Sequence, residues 1–264
     1  MAYQTGNIKY RGSFKSIRQW RIAHDKKTYA GEKGGATREL VMYNTSFART
    51  RENMAEFQGC GLAVKVIRKG LYNLLPEHAD TRFTGRLVAL VKMINLMDDE
   101  GLRGKRGLCF SANKPTLKSL TLHEKRKIDF QLKRSLTNSY PESRTEATIT
   151  VNGLNPDPTL IPVSARYYRV INHLSIIPDF VYDEKDQEYK PLGTTDASWV
   201  IAYSEFTRIN TPLTATLKAA FSTKIVPTDT DTVLQCAGIE FYTGPGADRY
   251  RPYTSGTMLV YDVF

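Results

Sequence analysis

The hydrophobic spacing between Asn44 and Arg106 leaves this chain few options, because it is long and helical in period. Phe47, Met54, Phe57, Val64, Ile67, Leu71 and Leu74 recur at steps of three, four or seven, which places them on one stripe of an α-helix. Ser46 or Asn44 suits the N-cap, since a short side-chain oxygen can accept an orphan amide of the first turn. Pro76 stops the run by pushing the preceding residue out of the α region. A second run follows in Phe83, Leu87, Leu90, Ile94 and Met97, with Asp80 as its cap and Gly101 as its terminator. The expectation is a helical hairpin that turns near Pro76 to His78, with the two stripes facing each other. Gly59-Cys60-Gly61 sits inside the first helix. Each glycine there costs about 1 kcal/mol relative to alanine, so a kink or a close helix crossing is expected.

Charge divides the chain more sharply than hydrophobicity does. Residues 1–144 hold 28 Lys+Arg against 13 Asp+Glu, a net +15, whereas residues 145–264 hold 9 against 14, a net −5. A basic half attracts polyanions, above all nucleic acid. Opposed halves also attract each other between copies, and a head-to-tail contact of that kind builds rings or filaments. Both consequences stay open. Cys60, Cys109 and Cys236 are odd in number and far apart, which fits reduced thiols in a cytoplasmic protein and not a disulfide framework. Met1 to Gly12 lacks an apolar core of signal-peptide length and no run approaches a membrane span, so neither secretion nor a membrane partner is expected.

The first residues read as a β-hairpin. Ile17 to Ala23 alternates in part, His24-Asp25-Lys26-Lys27 is a polar turn, and Thr28-Tyr29-Ala30 returns antiparallel. Gly31-Glu32-Lys33-Gly34-Gly35 then breaks the structure as a hinge, and it lacks the spacing of a phosphate loop. Trp20 and Tyr29 lie among arginines and lysines. They form either a solvated strand face with an anchoring Trp or a surface on which single-strand bases stack.

Arg49 and Arg51, followed by Arg82 and Arg86 one helical turn apart, form the densest charged cluster. Three readings stand: an internal ion-pair network with Glu52, Glu56 and Asp80, a grip on a neighbouring copy's carboxylates, or a grip on phosphates. Residues 102–144 read as a basic connector or arm. Arg103, Lys105, Arg106, Lys125, Arg126 and Lys127 extend the candidate subunit-contact or phosphate-binding set. Within that segment Leu117, Leu120 and Leu122, then Ile128, Phe130 and Leu132, alternate as two short strands would.

Certain motifs carry a resemblance. Gly6-Asn7-Ile8-Lys9, Glu32-Lys33-Gly34-Gly35, Phe47-Ala48-Arg49-Thr50-Arg51-Glu52-Asn53 with Glu56-Phe57, and Asp80-Thr81-Arg82-Phe83-Thr84-Gly85-Arg86-Leu87 resemble an uncharacterised family of basic bacterial proteins. Its members carry REKGG, FxRTREN and DxRMxGRL motifs. Gly238-Ile239-Glu240-Phe241-Tyr242 with Tyr250 is similar to the family's C-terminal strand pair. Gly31 stands where the family has Arg, and Phe83 where it has Met. The resemblance implies the domain plan and brings no activity with it.

From Thr145 onward the pattern is β throughout. Strands are expected at Ala147 to Val151, Arg166 to Leu174, Asp179 to Tyr182, Ser198 to Phe206, Thr214 to Phe221, Val233 to Tyr242 and Thr257 to Phe264, all rich in Val, Ile, Thr, Tyr and Phe. Residues 183–187 and 244–248 are turn-forming spacers. The fold class expected is α+β: an N-terminal β-hairpin and helical hairpin, then an antiparallel β-sandwich, immunoglobulin-like or jelly-roll. The expected boundaries are 1–101, 102–144 and 145–264.

Signatures of chemistry are sparse. His24, His78, His123 and His173 are isolated, and neither a zinc-protease spacing nor a nucleophile elbow occurs. Asp98-Asp99-Glu100 reads as a solvated helix end before a cation site. The sequence points to a non-enzymatic structural protein without metal or cofactor. It would self-assemble as a tube, filament or shell through basic-to-acidic and β-edge contacts. A nucleic-acid-binding protein using its basic N-terminal half is the alternative.

Overall fold

The structure, a computed structural model, describes residues 2–22, 24, 25, 27–125, 130–159, 161–193, 198–244 and 256–264. The chain divides into two compact units, Met1–Arg51 and Glu52–Phe264. It is an α+β protein.

In the first unit the expected hairpin forms and is widened. Strands β3 (Ile17–Arg21) and β4 (Thr28–Glu32) pair antiparallel, while β1 (Ala2–Tyr3) and β2 (Gly12–Phe14) flank them in the order β1-β4-β3-β2. Gly31 is no break. It lies within β4, where a Cβ would come 3.1 Å from the Trp20 ring. Helix α1 (Arg38–Tyr43) follows, capped by the Thr37 hydroxyl, which accepts from the Leu40 amide. The sequence reading missed this helix because a single short turn carries too little period to show. The Asn44 side chain accepts from the Ser46 amide at 2.9 Å and starts a 3-10 turn at Thr45–Phe47.

The second unit is layered. Its central sheet has the order β10-β7-β13-β14, with β7 spanning Tyr167–Pro178, β10 Trp199–Tyr203, β13 Asp231–Tyr242 and β14 Thr257–Val263; the two-residue β11 (Thr207–Arg208) also pairs with β7. The β7–β13 ladder runs unbroken from Asp231 opposite Pro178 to Tyr242 opposite Tyr167. One face of this sheet shares a core with a second sheet of order β12-β6-β5, made of β5 (Leu136–Ser139), β6 (Glu146–Leu154) and β12 (Leu213–Ala220). Tyr168, Val170, Ala237 and Ile239 pack there against Ile149, Val151, Leu154 and Leu217. The opposite face carries Ile171, Leu234, Cys236 and Val260, which share a core with helices α2 (Ala48–Gly70) and α4 (Phe83–Leu96). Because period-two alternation sends neighbours to opposite faces, apolar residues on both parities are what a twice-covered strand requires. β13 is buried at every residue.

All seven strands expected after Thr145 are present. The hairpin of β8 (Phe180–Asp183) and β9 (Glu188–Pro191) closes over residues 183–188, adding a strand the sequence reading did not separate, as does β5. Residues 245–248 of the second expected turn, and Tyr250, lie outside the described residues.

The helical hairpin forms with corrections. Helix α2 is continuous through Gly59-Cys60-Gly61. The close approach expected there is real, but its partner is a strand residue: a Cβ on Gly59 would sit 2.5 Å from the Tyr189 ring. Accordingly the buried stripe is Glu56, Gly59, Cys60, Ala63, Val64, Ile67 and Gly70, and Met54 and Phe57 point outward. On α4, Phe83, Leu87, Leu90 and Ile94 are buried as expected and Met97 is exposed. Asp80 does act at the start of α4, accepting from the Arg82 amide at 2.9 Å. The helix ends at Leu96, before Gly101, whose amide instead donates to Asp98. Among the described residues the two strands expected in the connector do not form: Leu117 lies in helix α5 (Lys114–Lys118) and Leu132 in α6 (Phe130–Ser135), with Ile128 outside the described residues. Short helix α3 (Leu75–His78) holds Pro76 in its first turn, where a missing amide costs nothing.

The boundaries expected at 101/102 and 144/145 do not coincide with the division at Arg51/Glu52. The helices cannot be separated from the sandwich, because their apolar stripes and one face of the central sheet are a single core.

Candidate functional site

The first unit holds 11 Lys+Arg against 3 Asp+Glu within residues 1–51, a net +8. Its small sheet has two unlike faces. Cross-strand register places Trp20 opposite Tyr29 and Tyr29 opposite Tyr3, so three aromatic rings cross three adjacent strands on one face. Arg18, opposite Gly31, shares that face. Trp20 and Tyr29 are half-buried and stack with ring centroids 6.1 Å apart. Tyr3 is 53% exposed, and the Lys27 ammonium sits 5.1 Å from its ring centroid. The Tyr29 hydroxyl donates to Asp25, which with the Lys27 amide holds that carboxyl below its ordinary range. The other face presents Phe14 and Ile17, both exposed, and the buried Thr28. Within residues 2–51, Thr28 is the one described residue that is buried.

At least five of the eight described candidate cations have partners within the molecule. Arg51 donates to the carbonyls of Val41 and Asn44, closing the C-terminal end of α1. Arg86 pairs with Asp80 at 3.0 Å and donates to the Thr121 and Leu122 carbonyls. Burial alone would raise the Asp80 carboxyl, but the Glu124 amide, Arg86 and the Arg82 amide outweigh it and draw it down to about 2. Arg103 meets Glu52 at 3.4 Å, and Lys105 meets Glu184 at 2.6 Å. Arg106 lies 3.7 Å from Glu56. The internal-network reading therefore accounts for Arg86, Arg103 and Arg106. Arg49 is exposed on the first turn of α2, Arg82 is exposed beside α4, and Lys125 is exposed past α5. Arg126 and Lys127 lie outside the described residues.

Glu56 shows why those cations were needed. It is 1% exposed and accepts from Lys92, with its other oxygen taking the Gly104 amide at 2.8 Å. Burial pushes its pKa upward, and the Lys92 and Gly104 hydrogen bonds reverse this to leave it below its ordinary value. Gly104 has φ +93°, a conformation that favours glycine, and a Cβ there would come 3.1 Å from Glu52. The basic connector is thus strapped onto the helices by a buried carboxylate.

A second buried ionic cluster was not foreseen. The Arg169 Nε and Nη2 donate to Glu240 at 3.1 and 3.0 Å, the Tyr242 hydroxyl donates to the same carboxylate, and the His78 Nε2 lies 3.2 Å from its other oxygen. Tyr203 covers the guanidinium at 3.7 Å. The signal that could have found it is a charged residue at the end of each of the two longest apolar strand runs. Its carboxylate is fully engaged, so it fixes β7, β13 and α3 to one another.

Nucleophiles are similarly quiet. Cys60, Cys109 and Cys236 are free; burial raises all three thiols, Cys60 to about 11 and Cys236 to about 12. Asp98 is occupied by the amides of Gly107, Gly101 and Glu100. Among the described residues no group of His, Cys, Asp and Glu is placed to hold a metal ion, and no helix is long and apolar enough to cross a membrane.

The helices also leave apolar side chains uncovered. The outward side of the helices exposes Met54 and Phe57 on α2 and Met93, Leu96 and Met97 near the end of α4. The Lys92 ammonium sits 5.4 Å from the Phe57 ring centroid. Against family models, curated proteins and solved structures, the chain has no match.

Proposed function

We propose that this chain is a non-enzymatic structural subunit, cytoplasmic in setting, that associates with copies of itself into a tube, filament or shell. The observation that carries this reading is the N-terminal unit. A fold of some fifty residues stands on its own only when it covers a core, and here, among the described residues of the unit, Thr28 alone is buried while Phe14, Ile17, Ile22, Leu40 and Tyr43 are exposed. Apolar surface of that kind marks a contact with another molecule. The occupant is a second copy, on charge grounds: the unit carries +8, and residues 145–264 of a neighbour carry −5. Exposed Glu188, Glu205 and Asp229 supply carboxylates in that region. The helices' outer apolar residues, Met54, Phe57, Met93 and Leu96, extend the surface available to a neighbour.

The test is sedimentation velocity across protein concentration at low and high salt. The full-length chain is expected to run larger than 30 kDa, to shrink as salt screens the pairing, and to shift toward monomer in Phe14→Ser/Ile17→Ser with unchanged circular dichroism. A monodisperse monomer at every concentration and salt would overturn the reading.

A further inference from the structure

The two faces of the N-terminal sheet call for different ligands. Phe14 and Ile17 on one face suit a protein contact. The opposite face is aromatic and cationic together: Tyr3, Tyr29 and Trp20 run across β1, β4 and β3, with Arg18 on the same face and Lys27 over the outermost ring. Adjacent strands lie about 4.8 Å apart, so the three side chains are cross-strand neighbours, with the Trp20 and Tyr29 ring centroids 6.1 Å apart. An aromatic row put there merely to build a core would be covered, and Tyr3 is the most exposed of the three.

Rings flanked by cations match one ligand class. Unpaired bases offer a flat face to each ring while their phosphates meet the neighbouring cations, and this works for any base sequence. A duplex keeps its bases stacked inside and could use only the charge. The unit's +8 charge supplies the attraction along the backbone.

We propose that the face formed by Tyr3, Trp20, Tyr29, Arg18 and Lys27 binds single-stranded nucleic acid by base stacking. The contact is sequence-tolerant, and it uses the side of the sheet opposite to the one assigned to self-association. Its success or failure is therefore separate from that of the assembly.

The experiment uses the full-length chain and fluorescein-labelled oligo-dT and oligo-U of about 15 nucleotides, with the dT·dA duplex of the same length, read by anisotropy at low salt. Single strands are expected to bind more tightly than the duplex, and the dT and U arms show which sugar is preferred. Tyr3→Leu and Trp20→Leu keep apolar bulk without a stacking ring, and each is expected to weaken single-strand binding by about fivefold to a hundredfold. Arg38→Gln on α1 should lower dT, U and duplex binding by the same modest factor. Since Trp20 and Trp199 are the two tryptophans, the Trp199→Phe chain reports on Trp20 alone, and its emission should be quenched by the single strand. The proposal is overturned if the duplex binds as tightly as the single strand, if neither Leu variant changes affinity while circular dichroism is unchanged, or if Trp20 emission does not respond.

Discussion

Two antiparallel sheets in this molecule obey the same pairing rules and end in opposite states. In the central sheet, β7 and β13 pair over their whole length and are buried almost throughout, because helices cover one face and the β12-β6-β5 sheet the other. In the N-terminal sheet, β3 and β4 pair just as regularly, yet of their residues Thr28 alone is buried. Hydrogen-bonded pairing therefore does not distinguish them. Coverage does, since burial of apolar surface is the dominant favourable contribution to folding and an uncovered sheet gains little of it.

Matched truncations put numbers on that difference. Ile176→Ala, at a fully buried site in β7, is expected to lower unfolding stability in denaturant melts by about 4 kcal/mol. Ile17 in β3 is 44% exposed and marks the other end of the same scale.

The next largest effect is on pH. His173 is fully buried in β7, stacked with Trp199, and burial drops its pKa from 6.5 to about 4, with the Gly70 backbone opposing the shift. The unfolded chain takes up the proton near 6.5 and the folded chain resists it until about 4. The group's effect is absent above 6.5, and stability falls as pH drops from 6.5 to 4. By pH 4 the loss is roughly 3 kcal/mol. Denaturant midpoints of His173→Leu across this window should be flat where the parent's decline. Asp80, lowered to about 2, acts later: its contribution is present above about 4 and goes as pH falls toward 2.

Gly59→Ala sharpens the comparison from the helix side. Its Cβ would collide with the Tyr189 ring, and overpacking of this kind costs about 2 kcal/mol despite alanine's better helix propensity. If Gly59→Ala is stabilising, the helix is not held against the β8–β9 hairpin as described. The smallest expected effect is Ile17→Ala, below about 0.5 kcal/mol in dilute protein, because an exposed side chain has little burial to lose. A loss approaching that of Ile176→Ala would mean that the N-terminal sheet has its own core.

Some of this architecture could be read from residue order and some could not. The strands after Thr145 were readable because long β-branched and aromatic runs bounded by turns admit little else. The stripe of α2 was half misread: Glu56, Gly59 and Cys60 look like surface or breaker residues, and their burial follows from Lys92, Gly104 and Tyr189, which lie far along the chain. Leu117, Leu120 and Leu122 alternate like a strand, but Asn113 and Pro115 start a helical turn first. The internal commitment of Arg51, Arg86 and Arg106 was not legible, because it depends on carbonyls and carboxylates that only the fold brings near.

Hydrogen exchange followed against protein concentration tests the central claim most directly. Amides of β7 and β13 should be protected to the level of global unfolding at all concentrations. Those of β3 and β4 should exchange freely in dilute monomer and gain protection as copies associate. Protection of β3 and β4 at the global level in a verified monomer would contradict the account.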